Sequence, residues 1–234
     1  MAVSIDTVYQ RVLVLANKEQ RGYITPQEFN LFANQAQMDI FEQYFYDINQ
    51  FGRFPGNGTE YSDMLNYLEE KISLFENSKN VNINANGEFY NIGAQITDLY
   101  RVGTVSYSGA ICEKVNANLM ETVLNSPLLK PNTYNPIYSL KDNKIYIYPI
   151  SIIDPITVNY IKRPPTVKWT YLVTDGNPVY EPNQPDFQSF ELHDSEETEL
   201  VIKILQLAGI TLKDPSLYQI GGLEDNKNVQ QEKS

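Results

Sequence analysis

Residues 22–32 read Gly22-Tyr23-Ile24-Thr25-Pro26-Gln27-Glu28-Phe29-Asn30-Leu31-Phe32, and this stretch decides how the N-terminal part of the chain folds. Thr25 suits the N-cap position of a helix, because its hydroxyl can accept a hydrogen bond from a free backbone N–H. Pro26 at the first helical position has no N–H to leave unpaired. Glu28, three residues after Thr25, completes a capping box. The stretch therefore predicts a helix that begins at Pro26.

The residues around this start signal predict a helical hairpin with one apolar face on each helix. Ile24, just before the cap, can pack on Phe29 as a hydrophobic staple. The expected buried side of the second helix comprises Phe29, Phe32, Ala33, Ala36, Ile40, Tyr44 and Phe45. The preceding helix, over residues 5–20, is expected to bury Val8, Val12, Leu15 and Ala16. A turn at Arg21-Gly22 would join the two helices. A helical hairpin implies no catalytic chemistry by itself.

Two further helices are predicted outside the hairpin. Residues 61–75 have an apolar side formed by Leu65, Leu68, Ile72 and Phe75. Glu69-Glu70-Lys71 is expected on the solvent side of this third helix. Asp194-Ser195-Glu196-Glu197 places acidic residues in the first turn of a late helix, where they suit the helix dipole. The expected apolar side of that late helix is Leu200, Ile204, Leu207, Ala208 and residues 210–212.

The middle of the chain predicts about five strands, mostly antiparallel. The strand regions cover residues 81–84, 87–90, 96–106, 137–140, 145–148 and 156–161. Asn86-Gly87 and Asp142-Asn143 are turn signals between pairs of these regions. Residues 116–124 predict either a short helix or an irregular connector. Residues 167–190 form a long loop with a turn at Asp175-Gly176-Asn177-Pro178, and loops of this length usually have a function. We expect this loop to reach a neighbouring molecule, although packing on its own chain is the alternative.

These patterns together predict an α+β fold with an N-terminal antiparallel helical bundle. We expect four parts: residues 1–79 with the helical hairpin and third helix, 80–190 with the strands and long loop, 191–214 with a helix that packs back on the bundle, and 215–234 as a flexible C-terminal tail. The tail is polar after Leu223, apart from Val229, so it has little to bury by itself.

Composition excludes several classes of function. The net charge is −11 and Lys162-Arg163 is the densest basic pair, so the basic stripe of a nucleic-acid-binding protein is missing. No run approaches the roughly 20 apolar residues that span a bilayer, and the first residues do not resemble a signal peptide. We expect no membrane association. The 17 tyrosines suit either a protein interface or half-exposed strands.

The chain offers few residues for catalysis or metal binding. His193 is the only histidine and Cys112 the only cysteine, so neither a zinc site nor a disulfide is predicted. Cys112 lies in a predicted strand, which favours a buried structural thiol over a Cys–His nucleophile pair. Paired carboxylates for glycoside hydrolysis remain open, because their spacing is set by the tertiary fold. We expect no enzymatic activity, no cofactor and no metal.

The N-terminal residues resemble those of structural proteins in tailed bacteriophages. The resemblance is carried by Val8-Tyr9-Gln10-Arg11, Ala16-Asn17-Lys18, residues 22–30 and Ala33-Asn34-Gln35-Ala36-Gln37. These N-terminal residues are most similar to those of the neck-ring or head–tail adaptor (connector) proteins of crAss-like and related podoviruses. Beyond about the first fifty residues the resemblance is one of architecture only.

This resemblance implies a virion structural protein, made in the host cytoplasm and located in the neck or tail. It implies a homo-oligomeric, twelve-fold ring that links the portal protein to other neck or tail ring proteins. The ring would line the channel for double-stranded DNA without binding DNA tightly. The C-terminal tail would dock on the portal. The candidate interface residues are Tyr171, Tyr180, Phe187, Phe190, Leu217, Tyr218 and Leu223.

A second hypothesis comes from a different class. Tyrosines and carboxylates in a β-sheet groove would suit a carbohydrate-binding or carbohydrate-processing virion or tail protein. A ring subunit should assemble or bind a ring partner, whereas a glycan-binding protein should be a monomer whose melting temperature depends on sugar.

Overall fold

The computed structural model describes residues 3–18, 23–51 and 59–211, which belong to two compact units. The first, called here the helical unit, combines the described residues up to position 74 with residues 164–211. The second, the sheet unit, comprises residues 75–163. Residues 164–190, which the sequence pattern places with the strands, pack with the helices in the structure. The predicted turn at Arg21-Gly22 and the tail 215–234 lie outside the described residues.

The fold is mixed α+β, as the sequence predicts. The helices are α1 (Ile5–Lys18), α2 (Pro26–Phe51), α3 (Thr59–Ser73), α4 (Ile92–Gln95), α5 (Ala117–Asn125) and α6 (Glu197–Thr211). The strands are β1 (Glu76–Val81), β2 (Tyr90–Asn91), β3 (Leu99–Tyr107), β4 (Ala110–Lys114), β5 (Ile137–Lys141), β6 (Lys144–Tyr148), β7 (Ile156–Lys162), β8 (Tyr171–Thr174) and β9 (Asn177–Tyr180). A single 3₁₀ turn (Asp194–Glu196) leads into α6. None of the described helices is long and apolar enough to span a membrane.

The predicted capping box at the start of α2 is present. The Thr25 backbone N–H donates to Glu28 Oε2 at 2.9 Å, and the Glu28 N–H donates to Thr25 Oγ1 at 3.3 Å. The Thr25 hydroxyl also donates to Glu28 Oε2, at 2.8 Å. The Thr25 backbone N–H first, and this hydroxyl second, hold the pKa of the Glu28 carboxyl below its ordinary value. Ile24 and Phe29, the two residues of the predicted staple, are both buried. The helix start is therefore determined locally.

The helical unit buries most of the predicted apolar faces. α6 packs against both α1 and α2, and its Leu200, Ile204 and Ala208 are fully buried. Five residues of the predicted apolar faces are not fully buried: Phe32, Phe45, Leu65 and Leu207 are half-buried, and Leu15 is exposed. The buried stripe of α2 passes through Ala33, Ala36, Gln37, Ile40, Phe41 and Tyr44. Phe32 and Phe45 lie at the edges of this buried face, which is why each is only half-buried.

Seven strands of the sheet unit form one sheet in the order β1-β7-β3-β4-β5-β6-β2. Neighbours are antiparallel, except that β4 and β5 are parallel. The predicted hairpin of β5 and β6 is confirmed, and Asp142 and Asn143 take the left-handed backbone conformation that its tight turn requires, with φ of 52° and 53°. β1 was not predicted in this position, because its partner β7 is about 80 residues away in sequence.

Two tyrosines of the sheet unit hold the loop at Asp154 in place through hydrogen bonds from their hydroxyl groups. The Tyr90 hydroxyl donates to the Asp154 carbonyl at 2.8 Å, and Tyr107 donates to the Asp154 carboxylate at 3.0 Å. Burial raises the pKa of Tyr90 to about 12. Cys112 is buried in β4, and burial raises the pKa of its thiol to about 11. Tyr90 and Cys112 are therefore structural residues of this unit.

Candidate functional site

Three amide side chains on one face of α2 bind an extended segment, residues 165–169. Asn30, Asn34 and Gln37 are four and three residues apart, which places them on the same side of the helix. We refer to these three residues as the amide ladder. They hold the segment that leads directly into β8.

The amide ladder forms the hydrogen bonds that a neighbouring strand would form. Asn34 accepts from the Val167 N–H at 2.9 Å and donates to the Val167 carbonyl at 2.9 Å. Asn30 does the same for Trp169, at 2.8 Å and 3.2 Å. Alternate residues of an extended chain present both backbone groups to the same side, and each of those groups needs a partner. The amide side chains of α2 thus take the place of a neighbouring strand along this segment.

Gln37 follows the same pattern with one bond fewer. Its Nε2 donates to the Pro165 carbonyl at 2.9 Å. Its Oε1 has no hydrogen-bond partner among the described residues, although Gln37 is 1% exposed. Proline has no N–H to donate, so the last position of the amide ladder makes a single bond.

The opposite side of the extended segment is held by the chain that returns after the hairpin of β8 and β9. The backbone groups of Lys168 and Gln188 exchange hydrogen bonds of 2.9 Å and 3.3 Å. The Lys168 side chain pairs with Asp186. The segment is thus fixed between α2 and residues 186–188.

Trp169 connects this segment to the rest of the helical unit. Its indole N–H donates to Asp6 of α1 at 2.9 Å, and its ring lies 4.3 Å from that of Tyr9. Tyr171 and Tyr180 stack against the indole, each with a centroid separation of 5.7 Å. Because Trp169 is only 2% exposed, it is an anchor rather than a surface for ligand stacking.

The β8–β9 hairpin projects from this anchor. Tyr171 pairs with Tyr180 on its inner face, which is stacked on Trp169. Leu172 pairs with Val179 on its outer face, and these side chains are 49% and 50% exposed. A two-stranded hairpin is marginally stable in water by itself. The hairpin is therefore covered by its own chain at Tyr171 and Tyr180, whereas Leu172 and Val179 on the other face are half exposed in the described chain.

The candidate interface residues fall into three groups. Tyr171, Tyr180 and Phe187 are half-buried, and the last two have ring centroids 6.1 Å apart. Phe190 is 1% exposed and belongs to the interior of the helical unit. Leu217, Tyr218 and Leu223 lie outside the described residues. The outer-face residues Leu172 and Val179 were missed, although strict alternation with the tyrosines was a signal that could have identified them.

An apolar groove of about 460 Å³ lies between α1 and α6. Val14 and Leu15 line it from α1, and Val201, Ile202 and Leu205 line it from α6. Val14 and Leu15 are 64% and 44% exposed, so the groove opens to solvent. This lining can bind apolar groups, and Gln10, Arg11 and Thr198 are its polar members.

A buried ion pair is the second feature that sequence reasoning missed. Lys71 was expected on the solvent side of α3, but its side chain is 6% exposed and its Nζ lies 2.6 Å from Glu196 Oε1. The ammonium group also lies 4.4 Å from the ring centroid of Tyr67 and 5.5 Å from that of Tyr44. Burial and the nearby Glu196 raise the pKa of Tyr44 far above its ordinary value. The pair joins α3 to the 3₁₀ turn before α6.

His193 caps that 3₁₀ turn. Its Nδ1 accepts from the Ser195 N–H at 3.3 Å and lies 2.9 Å from Ser195 Oγ, which also donates to Glu196 Oε1 at 3.3 Å. Within the described ranges, no three His, Cys, Asp or Glu side chains come together as a metal site would require. These contacts indicate a structural role for His193.

The sequence matches no family model and no curated protein.

The amide ladder can be tested by removing its central residue. Asn34→Ala leaves the Val167 N–H and carbonyl without their partners, and we expect it to lower the free energy of unfolding by about 1–3 kcal/mol. Gln35→Ala is the matched control, because Gln35 is exposed and donates to the neighbouring Asp39 on the same helix; its effect should stay within about 0.5 kcal/mol. Equal losses in urea denaturation would show that the amide ladder does not stabilise the fold.

The ion pair gives a second prediction. Lys71→Met leaves Glu196 buried without its cation, and we expect a loss of about 3–5 kcal/mol in urea denaturation. Arg11→Ala removes a pair whose side chains are 54% and 28% exposed, at 2.9 Å from Glu197, and should cost at most about 1 kcal/mol. Adding Glu196→Leu to Lys71→Met should restore much of the lost stability. A double variant no more stable than Lys71→Met would contradict this assignment.

Proposed function

We propose that the chain is a structural subunit of a tailed-bacteriophage head–tail connector, assembled as a homo-oligomeric ring between the portal protein and other neck or tail ring proteins. The observation that carries the proposal is where the residues of the N-terminal resemblance lie. Asn30, Asn34 and Gln37, which form the amide ladder, fall within that run. The resemblance thus includes the residues that position the β8–β9 hairpin.

The surface of the helical unit supports an assembly role. Leu172 and Val179 of the hairpin are half exposed, and Val14 and Leu15 at the α1–α6 groove are 64% and 44% exposed. Exposed apolar patches on a folded domain often mark contacts with other molecules.

The charge of the chain supports a channel role without tight DNA binding. A net charge of −11 removes the counterion-release contribution that drives non-specific binding to phosphates. An acidic channel wall would repel double-stranded DNA and leave it mobile during ejection.

A carbohydrate-binding or carbohydrate-processing protein is the second candidate function. The face of Trp169 is covered by Tyr9, Tyr171 and Tyr180, so an exposed aromatic face for a sugar would come from tyrosines such as Tyr100 and Tyr134, which are 40% and 84% exposed. A sugar-dependent rise in melting temperature of a monomeric protein would favour this alternative.

The proposal predicts that the purified chain forms closed rings of defined size, alone or when mixed with its portal protein. Sedimentation velocity and negative-stain electron microscopy measure this directly, and we expect rings of about twelve copies. A chain that stays monomeric at high micromolar concentration and is not recruited by the portal would contradict the proposal.

A further inference from the structure

The turn over residues 84–89 joins the two edge strands of the seven-stranded sheet. β1 and β2 stand at opposite ends of the strand order, and the turn lies between them in sequence. An isolated antiparallel bridge between Ile83 and Tyr90 closes the base of the turn. Tyr90 belongs to the core of the sheet unit, and Ile83 packs against that core. Both ends of the turn are therefore anchored.

The side chain of Asn84 holds this turn together. Its Oδ1 accepts from the Glu88 N–H at 2.7 Å and from the Phe89 N–H at 3.0 Å. The Asn84 backbone carbonyl accepts from the Gly87 N–H at 2.9 Å, and its N–H donates to the Phe89 carbonyl at 2.9 Å. Asparagine stabilises turns in this way, by bonding to backbone groups a few residues on.

Asn86 and Gly87 occupy the tip of the turn. They form one of two Asn-Gly pairs in the sequence; the other, Asn57-Gly58, lies outside the described residues. Asn86 is exposed, and Gly87 has a positive φ of 70°, which glycine adopts without a steric penalty. Because glycine has no Cβ, its backbone nitrogen is unusually accessible to the side chain before it. An asparagine amide in this sequence can react with the backbone of the next residue.

The reaction is an intramolecular attack followed by hydrolysis. The Gly87 backbone nitrogen bonds to Cγ of Asn86, and the Cγ–Nδ2 bond breaks. The amide nitrogen leaves as ammonia with the proton of the Gly87 N–H. The five-membered succinimide then takes up one water molecule and opens at either carbonyl, which gives aspartate or isoaspartate. In isoaspartate the main chain runs through the former side chain and is one CH₂ group longer.

We propose that Asn86 is a site of spontaneous deamidation and that the Asn84 side chain sets the rate. The attacking atom is the Gly87 nitrogen, whose N–H is donated to the Asn84 carbonyl in the folded turn. That nitrogen becomes available when the turn opens locally. The two bonds to Asn84 Oδ1 stabilise the closed turn and thereby slow the reaction. Asn86 lies in the sheet unit, so this chemistry is independent of the proposed function.

Peptide mapping of the full chain locates the reaction. The protein is incubated at mildly alkaline pH, folded or unfolded in urea, and then digested. Trypsin releases residues 80–101 as one peptide, and electron-transfer fragmentation distinguishes isoaspartate from aspartate in it. We expect conversion in the folded protein at Asn86 alone. Four other asparagines of this peptide are internal comparisons: Asn80, Asn82, Asn84 and Asn91. An Asn86 that stays intact in the folded protein while the urea-unfolded chain is converted overturns the assignment of the site.

Two substitutions at Asn84 test its control of the rate. Asn84→Ala removes both Oδ1 bonds, and Asn86 of the folded protein should then deamidate at least about fivefold faster, the factor that the net loss of one hydrogen bond produces in an opening equilibrium. Asn84→Asp keeps an oxygen that accepts from both N–H groups and should change the rate less than about twofold. Circular dichroism of both variants should match that of the wild type.

The urea-unfolded proteins provide the control for this comparison. Without the turn, the wild type and the two Asn84 variants should deamidate at Asn86 at equal rates. An Asn84→Ala rate equal to the wild-type rate in the folded protein overturns the role of Asn84. A faster Asn84→Ala reaction that persists in urea is an effect of local sequence and also overturns that role.

Discussion

The side-chain hydrogen bonds between α2 and residues 165–169 are the constraint on which the helical unit depends. An extended segment beside a helix has backbone groups that the helix backbone cannot pair, because its own groups are already used. Asn30, Asn34 and Gln37 supply the missing donors and acceptors. The position of Trp169 follows from these bonds, and the position of the β8–β9 hairpin follows from Trp169. Residues about 130 positions apart in sequence thus become neighbours through three amides.

The buried ion pair of Lys71 and Glu196 performs a similar task for the third helix. It places a cation between Tyr44 and Tyr67 and joins α3 to the turn before α6. The amide hydrogen bonds of α2 and the Lys71–Glu196 ion pair both lie largely in the interior of the helical unit.

The helices and turns were predictable because their signals are local in sequence. The long-range pairings between them were not predictable. The capping box at Thr25 and the turn at Asp142-Asn143 depend on residues within a few positions, so their outcome is visible in sequence. Lys71 looked solvent-facing because the position of its partner, Glu196, is a property of the tertiary fold. The three amides of α2 likewise gave no local signal, since polar residues at helical spacing usually face water. The outer face of the hairpin was predictable in principle from alternation, but only after the short strands were recognised.

Hydrogen exchange at two backbone amides tests the central claim most directly. The N–H groups of Val167 and Trp169 donate to Asn34 and Asn30, so in the wild-type protein they should exchange slowly, as amides inside a sheet do. In Asn34→Ala the Val167 amide should lose its protection selectively, while amides in the middle of α2 keep theirs. Rapid exchange of both amides in the wild-type protein would contradict the account, because the extended segment would then not be held by the helix.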